Sequence, residues 1–431
     1  MAPEASKPSL GEQQQALVDD YRADLNLFGT GMAGTGKSFV LKEMMDATLT
    51  VCASTGIAAL NVGGMTLHRF CGLGYIQEHT TARSIYKRLK QAAKDGRSRV
   101  LDAIRSLRRL AIDEISMVGR RVLEIVDELF RLIREDQRAF GGVQIIMFGD
   151  FLQLPPVKDD WAFKSAVWSH ADFKFHFLSK VYRQADQHFS DILNKVRLGS
   201  RQPNGDIDQD VADVLKERLA TKPPTDCPPI DVHTHNGDVD WINMGRLKDM
   251  GKDIKIFQAR EFGQDWAKEM MEKECRAPRD LHLSIGARVM LLINLAPEAG
   301  LANGSLGTVK SFGKDTITVE FDSGAVQEIS THNFEKKDHS QIVAERLQFP
   351  LRLAWAITSH KSQGLTFDRA TVHLAACFAA GQAYVALSRV KTLDGLFIAN
   401  SRRGAIKTDQ EALEFYENGG VWIPEQAELF A

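Results

Sequence analysis

The octet Gly31-Met32-Ala33-Gly34-Thr35-Gly36-Lys37-Ser38 fits the spacing G-x-x-x-x-G-K-[ST], and each fixed residue type answers a need of polyphosphate chemistry. Glycines let consecutive backbone N–H groups curl around phosphate oxygens, the lysine neutralises their charge, and the following hydroxyl reaches a Mg²⁺ ion. Ala33, Gly34, Thr35, Gly36, Lys37 and Ser38 are therefore the candidate cradle for a nucleoside triphosphate. From composition alone, a chance match in such a chain is on the order of one or two in a hundred. Two acids, Asp113 and Glu114, follow the apolar triplet Leu110-Ala111-Ile112. A carboxylate pair at a strand's carboxyl end faces the crevice where α/β sheets bind ligands. Asp113 is the candidate Mg²⁺ ligand and Glu114 the candidate base for water. Gln153, a polar residue between Leu152 and Leu154 in G-D-F-L-Q-L-P-P, is the candidate sensor of the terminal phosphate.

These residues need elements to hold them. Leu25 to Phe28 reads as a short strand running into the glycine-rich octet, and Val40, Leu41 and Met44 give the apolar face of a helix after it. Strand, loop and helix in that order is the setting a phosphate loop requires. Further apolar runs, Leu110 to Ile112 and Val143 to Phe148, read as buried parallel strands. The fold class expected is α/β.

Bulk properties agree. At 431 residues, with ~150 residues per domain as a soft prior, the chain has room for two to four domains. Apolar residues make up 44% and charged residues 26%, which is globular composition. No apolar run approaches the ~18 residues of a spanning helix, so no membrane partner is expected. The five scattered cysteines form no C-x-x-C pair and read as reduced thiols in a cytoplasmic setting. The net charge of −2 means that any groove for a polyanion is local. Arg83 to Arg109 is the one strongly basic stretch, with ten cations against Asp95 and Asp102, a net of +8. It reads either as a contact for nucleic acid or as the solvated face of helices whose inner side is Ile85, Leu89, Ile104 and Leu107.

Taken in order, the octet, A-S-T-G-I-A-A from Ala53, T-L-H-R-F from Thr66, D-E-I-S-M from Asp113, G-D-F-L-Q-L-P-P-V from Gly149 and V-Y-R-Q from Val181 resemble superfamily 1 helicases of the Pif/RecD-like group. T-H-N from Thr234, A-I-T-S-H-K-S-Q-G-L-T-F-D from Ala356 and A-Y-V-A-L-S-R-V-K-T from Ala383 continue the match. The resemblance implies two RecA-like P-loop motor domains, expected at 1–180 and 181–431. The first would carry a small basic insert at about 72–109. The second would carry a small antiparallel β-barrel at about 286–348, where short strands alternate with turns such as Asn303-Gly304. ATP and Mg²⁺ are the implied cofactors.

By the same resemblance Arg183 and Arg389 are arginine fingers, and Gln14 reads the adenine, with Gln13 and Gln15 beside it as alternatives of register. Thr55, His68, Phe70, His235, Asn236, Ser359, His360 and Lys361 match strand-contacting positions, supplying hydroxyls, rings and a cation for single-stranded DNA. The implied activity is ATP-dependent, 5′-to-3′ movement of a monomeric motor on single-stranded DNA that unwinds tailed or forked duplexes. The alternative is a translocase or protein-displacing remodeller without strand separation. A P-loop kinase would share the lysine, Mg²⁺ and acid but would not need the arginines or T-S-H-K-S-Q-G.

Overall fold

The computed structural model describes residues 9–422 apart from 75, 97–98, 184–185, 203–205, 225–227, 234–235, 297–300, 339–340, 360 and 363. It divides into two compact units, Met1–Gln184 with Thr408–Ala431, and Ala185–Lys407. The expected boundary at 180 therefore moves to 184, and the last 24 residues belong to the first unit instead of the second. Their helix, Gln410–Glu417, buries Ala412 and Phe415, and the Phe415 ring stacks on Phe163 at 4.3 Å. Burial of two apolar side chains against the first unit's core holds this segment there.

In the first unit, strands β1 (Leu27–Gly31), β2 (Leu49–Ala53), β3 (Met65–Thr66), β4 (Arg109–Asp113), β5 (Gln144–Gly149) and β6 (Lys174–Leu178) form one sheet in the order β3-β2-β4-β5-β1-β6. Every neighbouring pair is parallel. Parallel strands covered on both faces must be apolar throughout, and every residue of β1 and β5 is buried. The sheet brings the carboxyl ends of β1, β4 and β5 side by side: Thr30 pairs with Gly149, and Ile112 with Met147. That edge carries the octet, the acid pair and the Gln153 loop.

Helices α1 (Glu12–Arg22), α2 (Lys37–Glu43), α3 (Ala82–Lys94), α4 (Val100–Ser106) and α5 (Arg120–Arg134) complete the parts that matter here. The basic stretch is helical, as α3 and α4. Ile85, Leu89, Leu101 and Ile104 are buried in the same core cluster as Leu110, Val126 and Phe130, so these helices pack into the unit's main core. Lys87, Arg88, Lys90 and Lys94 lie on the exposed side. Arg109 does not join them: it pairs with Asp24 and Asp46. Arg88, exposed like the lysines, is tied down by donating to the carbonyls of Gly72 and Leu73 at 2.6 and 2.8 Å.

The second unit has its own parallel sheet, Ala356–Thr358, Ile230–His233, Ala370–His373 and Leu396–Asn400 in that order. Inserted into it is an antiparallel region wider than the 286–348 expected. Its five-stranded sheet runs from Arg288–Leu291 to Leu351–Leu353. Lys255–Gln258 pairs with Asp280–Leu283, and Arg260–Gly263 adds to Gln341–Gln348. Val289, Leu291, Val309, Ile317, Val319, Phe321 and Ile329 form the shared core.

Among the described residues, no helix is long and apolar enough to cross a membrane. Cys52, Cys71, Cys275 and Cys377 are free thiols; Cys227 lies outside the described residues.

Candidate functional site

Between β1 and α2 the chain must turn sharply under close neighbours, and glycine permits it at two points. Gly31 has φ +149°, and a Cβ there would meet the Leu178 carbonyl oxygen at 2.3 Å. Gly36 has φ +85°, and a Cβ would meet the Gln14 amide nitrogen at 2.5 Å. A side chain at Gly31 is blocked by backbone, and one at Gly36 is disfavoured by the positive φ. Lys37 Nζ donates to the carbonyls of Gly31 and Met32 at 2.7 and 2.9 Å, and Thr35 Oγ1 donates to Met32 at 2.9 Å. The loop is thus wound on itself with the ammonium held inside its curve. Ser38 stands exposed in the first turn of α2.

The three glutamines make different contacts. Gln14 is 3% exposed; its Nε2 donates to Thr35 O at 3.2 Å and its Oε1 accepts from Gly11 N at 3.0 Å. Gln13 instead accepts from Ser179, and Gln15 donates to Asp19 on the outer face of α1. Gln13 and Gln14 both line, with Gly11, Thr35, Lys180 and Tyr182, a cavity of about 370 Å³ beside the octet. Tyr182 was not singled out by sequence reasoning. Its backbone N–H donates to Gly34 O at 2.8 Å, which ties the V-Y-R-Q segment to the phosphate loop. The signal available was an aromatic residue next to the matched Arg183. Arg183 itself belongs to the first unit.

Across the sheet edge, Asp113 is buried at the end of β4. Burial, then the adjacent Glu114 carboxylate, push its pKa up to about 7, while Glu114 N–H and Lys37 oppose the rise. Such a carboxyl is short of positive charge, and a divalent cation would supply it. Glu114 adopts φ 54°, ψ 47°, a left-handed conformation that costs about 1 kcal/mol or more for a side chain with a Cβ. Its N–H donates to Asp113 Oδ1 at 2.9 Å. Its Oε2 is buried without a hydrogen-bond partner among the described residues. Gln153 is 4% exposed, in a turn closed by its own N–H on Asp150 O at 2.9 Å. These groups fit a magnesium-bound triphosphate: a cradle that excludes side chains, an internal ammonium, an electron-rich acid pair and a buried amide.

The Asp113 shift carries a testable sign. A carboxyl whose folded pKa lies above its unfolded value of 3.8 loses folding stability as pH rises between the two. Asp113→Asn removes that loss. In metal-free buffer the variant should melt a few degrees above the parent at pH 8, with the gap shrinking at pH 5, when thermal unfolding is followed by circular dichroism. A gap independent of pH would contradict the assignment.

The strand-contacting candidates divide. Thr55 is half-buried and caps the helix Gly56–Asn61, accepting from Ala58 N at 3.2 Å. His68 is half-buried in the short helix Leu67–Phe70, and burial lowers its pKa, favouring the neutral ring. Phe70 corrects the expectation: it is 3% exposed and sits in the main core beside Leu67 and Cys71, leaving no ring face for a base. Ser359 is fully buried as well, its N–H donating to His233 O at 2.7 Å, so its hydroxyl offers no surface to a strand. His235 and His360 lie outside the described residues, as does the side chain of Asn236.

Lys361 stands just past the end of the second unit's edge strand, where its N–H donates to Thr358 Oγ1 at 3.2 Å. Burial and then the nearby Arg352 lower its pKa, against the pull of Asp240. Asp240 acts on Arg352 as well, so the group is two cations beside one carboxylate. Arg352 was missed because it lies outside every matched motif, in a segment that reads only as a strand. Arg389 is 2% exposed; its Nε donates to Val385 O and its Nη2 to Ser388 Oγ, both at 2.8 Å.

Comparisons with known proteins agree with this geometry. The family model for the PIF1-like helicase matches residues 12–206, and that for the 2B domain of the DNA helicase Pif1 matches residues 268–312. The ATP-dependent DNA helicase PIF1 of Rattus norvegicus is 36% identical over 425 residues. The alignment covers 96% of this chain but 64% of the rat protein, so the chain spans about two thirds of that relative's length. The ATP-dependent DNA helicase Pif1 of Bdellovibrio bacteriovorus is 34% identical, with 95% of this chain and 92% of that protein covered. Among solved structures, Bacteroides sp Pif1 in complex with ADP-AlF4 superposes with a TM-score of 0.81 at 31% identity, covering 96% of this chain and 97% of that one. Two α/β units with parallel sheets, as in these RecA-like structures, a phosphate loop fixed to V-Y-R-Q, and identity along nearly the whole chain lead to one conclusion: the chain belongs to the Pif1 helicase family.

Proposed function

We propose that this protein is an ATP-driven DNA helicase that moves 5′-to-3′ on single-stranded DNA and couples ATP hydrolysis to unwinding of tailed or forked duplexes. The observation that carries the reading is the single sheet edge holding the Gly31–Ser38 cradle, Asp113, Glu114 and Gln153. Lys37 would bind the outer phosphates, and Ser38 with Asp113 would hold Mg²⁺, which supplies charge to the phosphate oxygens. Glu114, fixed in its left-handed turn, would take the proton of the attacking water. Gln153 would sense the terminal phosphate, Gln14 the base, and Arg183 and Arg389 would offset the charge that develops in phosphoryl transfer.

Binding to DNA is proposed through Thr55 and His68 in the first unit and Lys361 with Arg352 in the second. The two cations, against the one Asp240 carboxylate, support a phosphate contact. Affinity for a single strand should fall with log[salt] by about 0.7 per phosphate bound. Lys361→Gln should flatten that slope by about one contact; an unchanged slope with unchanged affinity would take Lys361 out of the groove.

The decisive experiment compares displacement of a duplex with a 5′ tail and one with a 3′ tail, with hydrolysable ATP present. Displacement from the 5′ tail alone is expected. ATPase stimulated by single strands without displacement would favour a translocase or remodeller, and ATPase indifferent to DNA would favour another P-loop enzyme. The basic α3 is packed into the main core, so a hairpin wedge is not what it supplies. Its exposed Lys87, Lys90 and Lys94 remain available to a duplex.

A further inference from the structure

The C-terminal helix brings a hydroxyl into the nucleotide edge that none of the matched motifs contains. Tyr416 follows Phe415, and its OH lies 2.8 Å from Thr30 Oγ1, 2.9 Å from Phe151 N and 3.3 Å from Asp150 Oδ1. A phenol has one proton. With that proton given to the Asp150 carboxylate, the oxygen accepts from the Phe151 N–H and from the Thr30 hydroxyl, and all three bonds are compatible. Thr30 and Asp150 are both fully buried. The hydroxyl therefore joins the carboxyl end of β1, just before the phosphate loop, to the start of the loop that carries Gln153.

That loop is a tight turn organised on Asp150. Asp150 Oδ1 also accepts from Leu152 N at 3.1 Å, and Asp150 O accepts from Gln153 N at 2.9 Å. Fixing Asp150 and Phe151 from outside sets the direction in which Gln153, two residues on, leaves the sheet. An amide that must meet a phosphate oxygen tolerates little displacement, since errors of about 1 Å in catalytic positioning can cost up to ~10²-fold in rate.

The helix carrying Tyr416 is pinned independently of this hydroxyl. Phe415 stacks on Phe163, Asp409 caps the helix on Ala412 N and accepts from Trp161 Nε1, and Lys164 pairs with Glu411 at 2.6 Å. The hydroxyl can be removed while the helix stays in place. The chain also enters this helix directly from the second unit, whose last residue is Lys407.

From this we infer that Tyr416 is a positioning residue for γ-phosphate sensing: its hydroxyl bridges Thr30 to Asp150 and Phe151 and so aims Gln153. The inference rests on the reading of Gln153 given above. It also makes the returning C-terminal segment part of the ATPase centre.

The test compares Tyr416→Phe, Gln153→Ala, the double variant and Glu411→Gln in the full chain, by ATPase with saturating single-stranded DNA and by thermal melting. Tyr416→Phe should lower kcat about tenfold with KM for ATP within about twofold. In the Gln153→Ala background, removing the hydroxyl should cost nothing further. Glu411→Gln loosens the helix without touching the hydroxyl and should lower Tm while leaving kcat within about twofold. Normal kcat in Tyr416→Phe beside slow turnover in Gln153→Ala would overturn this inference alone. A further loss in the double variant, or a Glu411→Gln defect equal to that of Tyr416→Phe, would reduce Tyr416 to a structural tether and overturn it too. Normal turnover in Gln153→Ala would overturn the sensing role of Gln153 and this inference together.

Discussion

Replacing Glu114 by glutamine is expected to lower DNA-stimulated ATP hydrolysis about 10²- to 10⁴-fold, the range for loss of a positioned general base, while ATP binding survives. The substitution keeps size and shape, so the left-handed turn at φ 54° should persist. Only the buried Oε2 changes from proton acceptor to amide. Lys37→Ala provides the contrast, because it removes the ammonium that sits on the Gly31 and Met32 carbonyls and should weaken binding and hydrolysis together. Fluorescent-nucleotide titration beside phosphate release separates the two. Near-normal turnover in Glu114→Gln would show that another group activates the water.

The phosphate loop, the acid pair and the parallel strands were legible in the sequence because each is local. A glycine pattern needs no distant partner, and β1 and β5 are buried along their whole length, which leaves continuous apolar runs. What the sequence hid depends on contacts far along the chain. The return of Gln410–Glu417 to the first unit is decided by Phe415 against Phe163, Phe151 and Phe28, partners more than two hundred residues away. Its local trace is the apolar and aromatic set Ala412, Leu413, Phe415 and Tyr416 on one short helix.

Similar physics explains the other misses. Lys255–Gln258 and Arg260–Gly263 are short and largely exposed, with no run of β-branched residues to mark them. Phe70 matched a strand-contacting motif, but an aromatic on the inner side of a short helix is drawn into the core. For the glutamines, composition offered three equivalent side chains in a row; Gln14 is the one that Gly36 and Thr35 approach.

The two arginines are expected to give the largest losses of all, and to differ in how the loss arises. Each was matched as a phosphate-facing finger, and removal of such a group lowers turnover about 10³- to 10⁵-fold in related phosphoryl-transfer enzymes. Arg183 follows Tyr182, whose N–H is bound to Gly34 O, so its backbone is fixed to the phosphate loop within the first unit. Arg183→Ala should therefore slow hydrolysis. Arg389 is 2% exposed and donates to Val385 O and Ser388 Oγ. Its truncation removes two buried hydrogen bonds, about 1 kcal/mol each, while Val385 O and Ser388 Oγ keep the bond to each other, so Arg389→Ala should lower Tm as well as turnover. Arg389→Lys keeps the charge but not the fork of donors. If charge alone is needed, the lysine variant should recover part of the rate. If the fork is needed, it should stay as slow as the alanine variant. Single-turnover hydrolysis at saturating ATP and DNA, beside thermal melting, reads both quantities. Wild-type rates in Arg183→Ala would assign that arginine a role in joining the chain segments instead of in chemistry. A Tm loss in Arg389→Ala with a normal rate per folded molecule would make Arg389 a core hydrogen-bond donor and leave Arg183 to act on the phosphate alone.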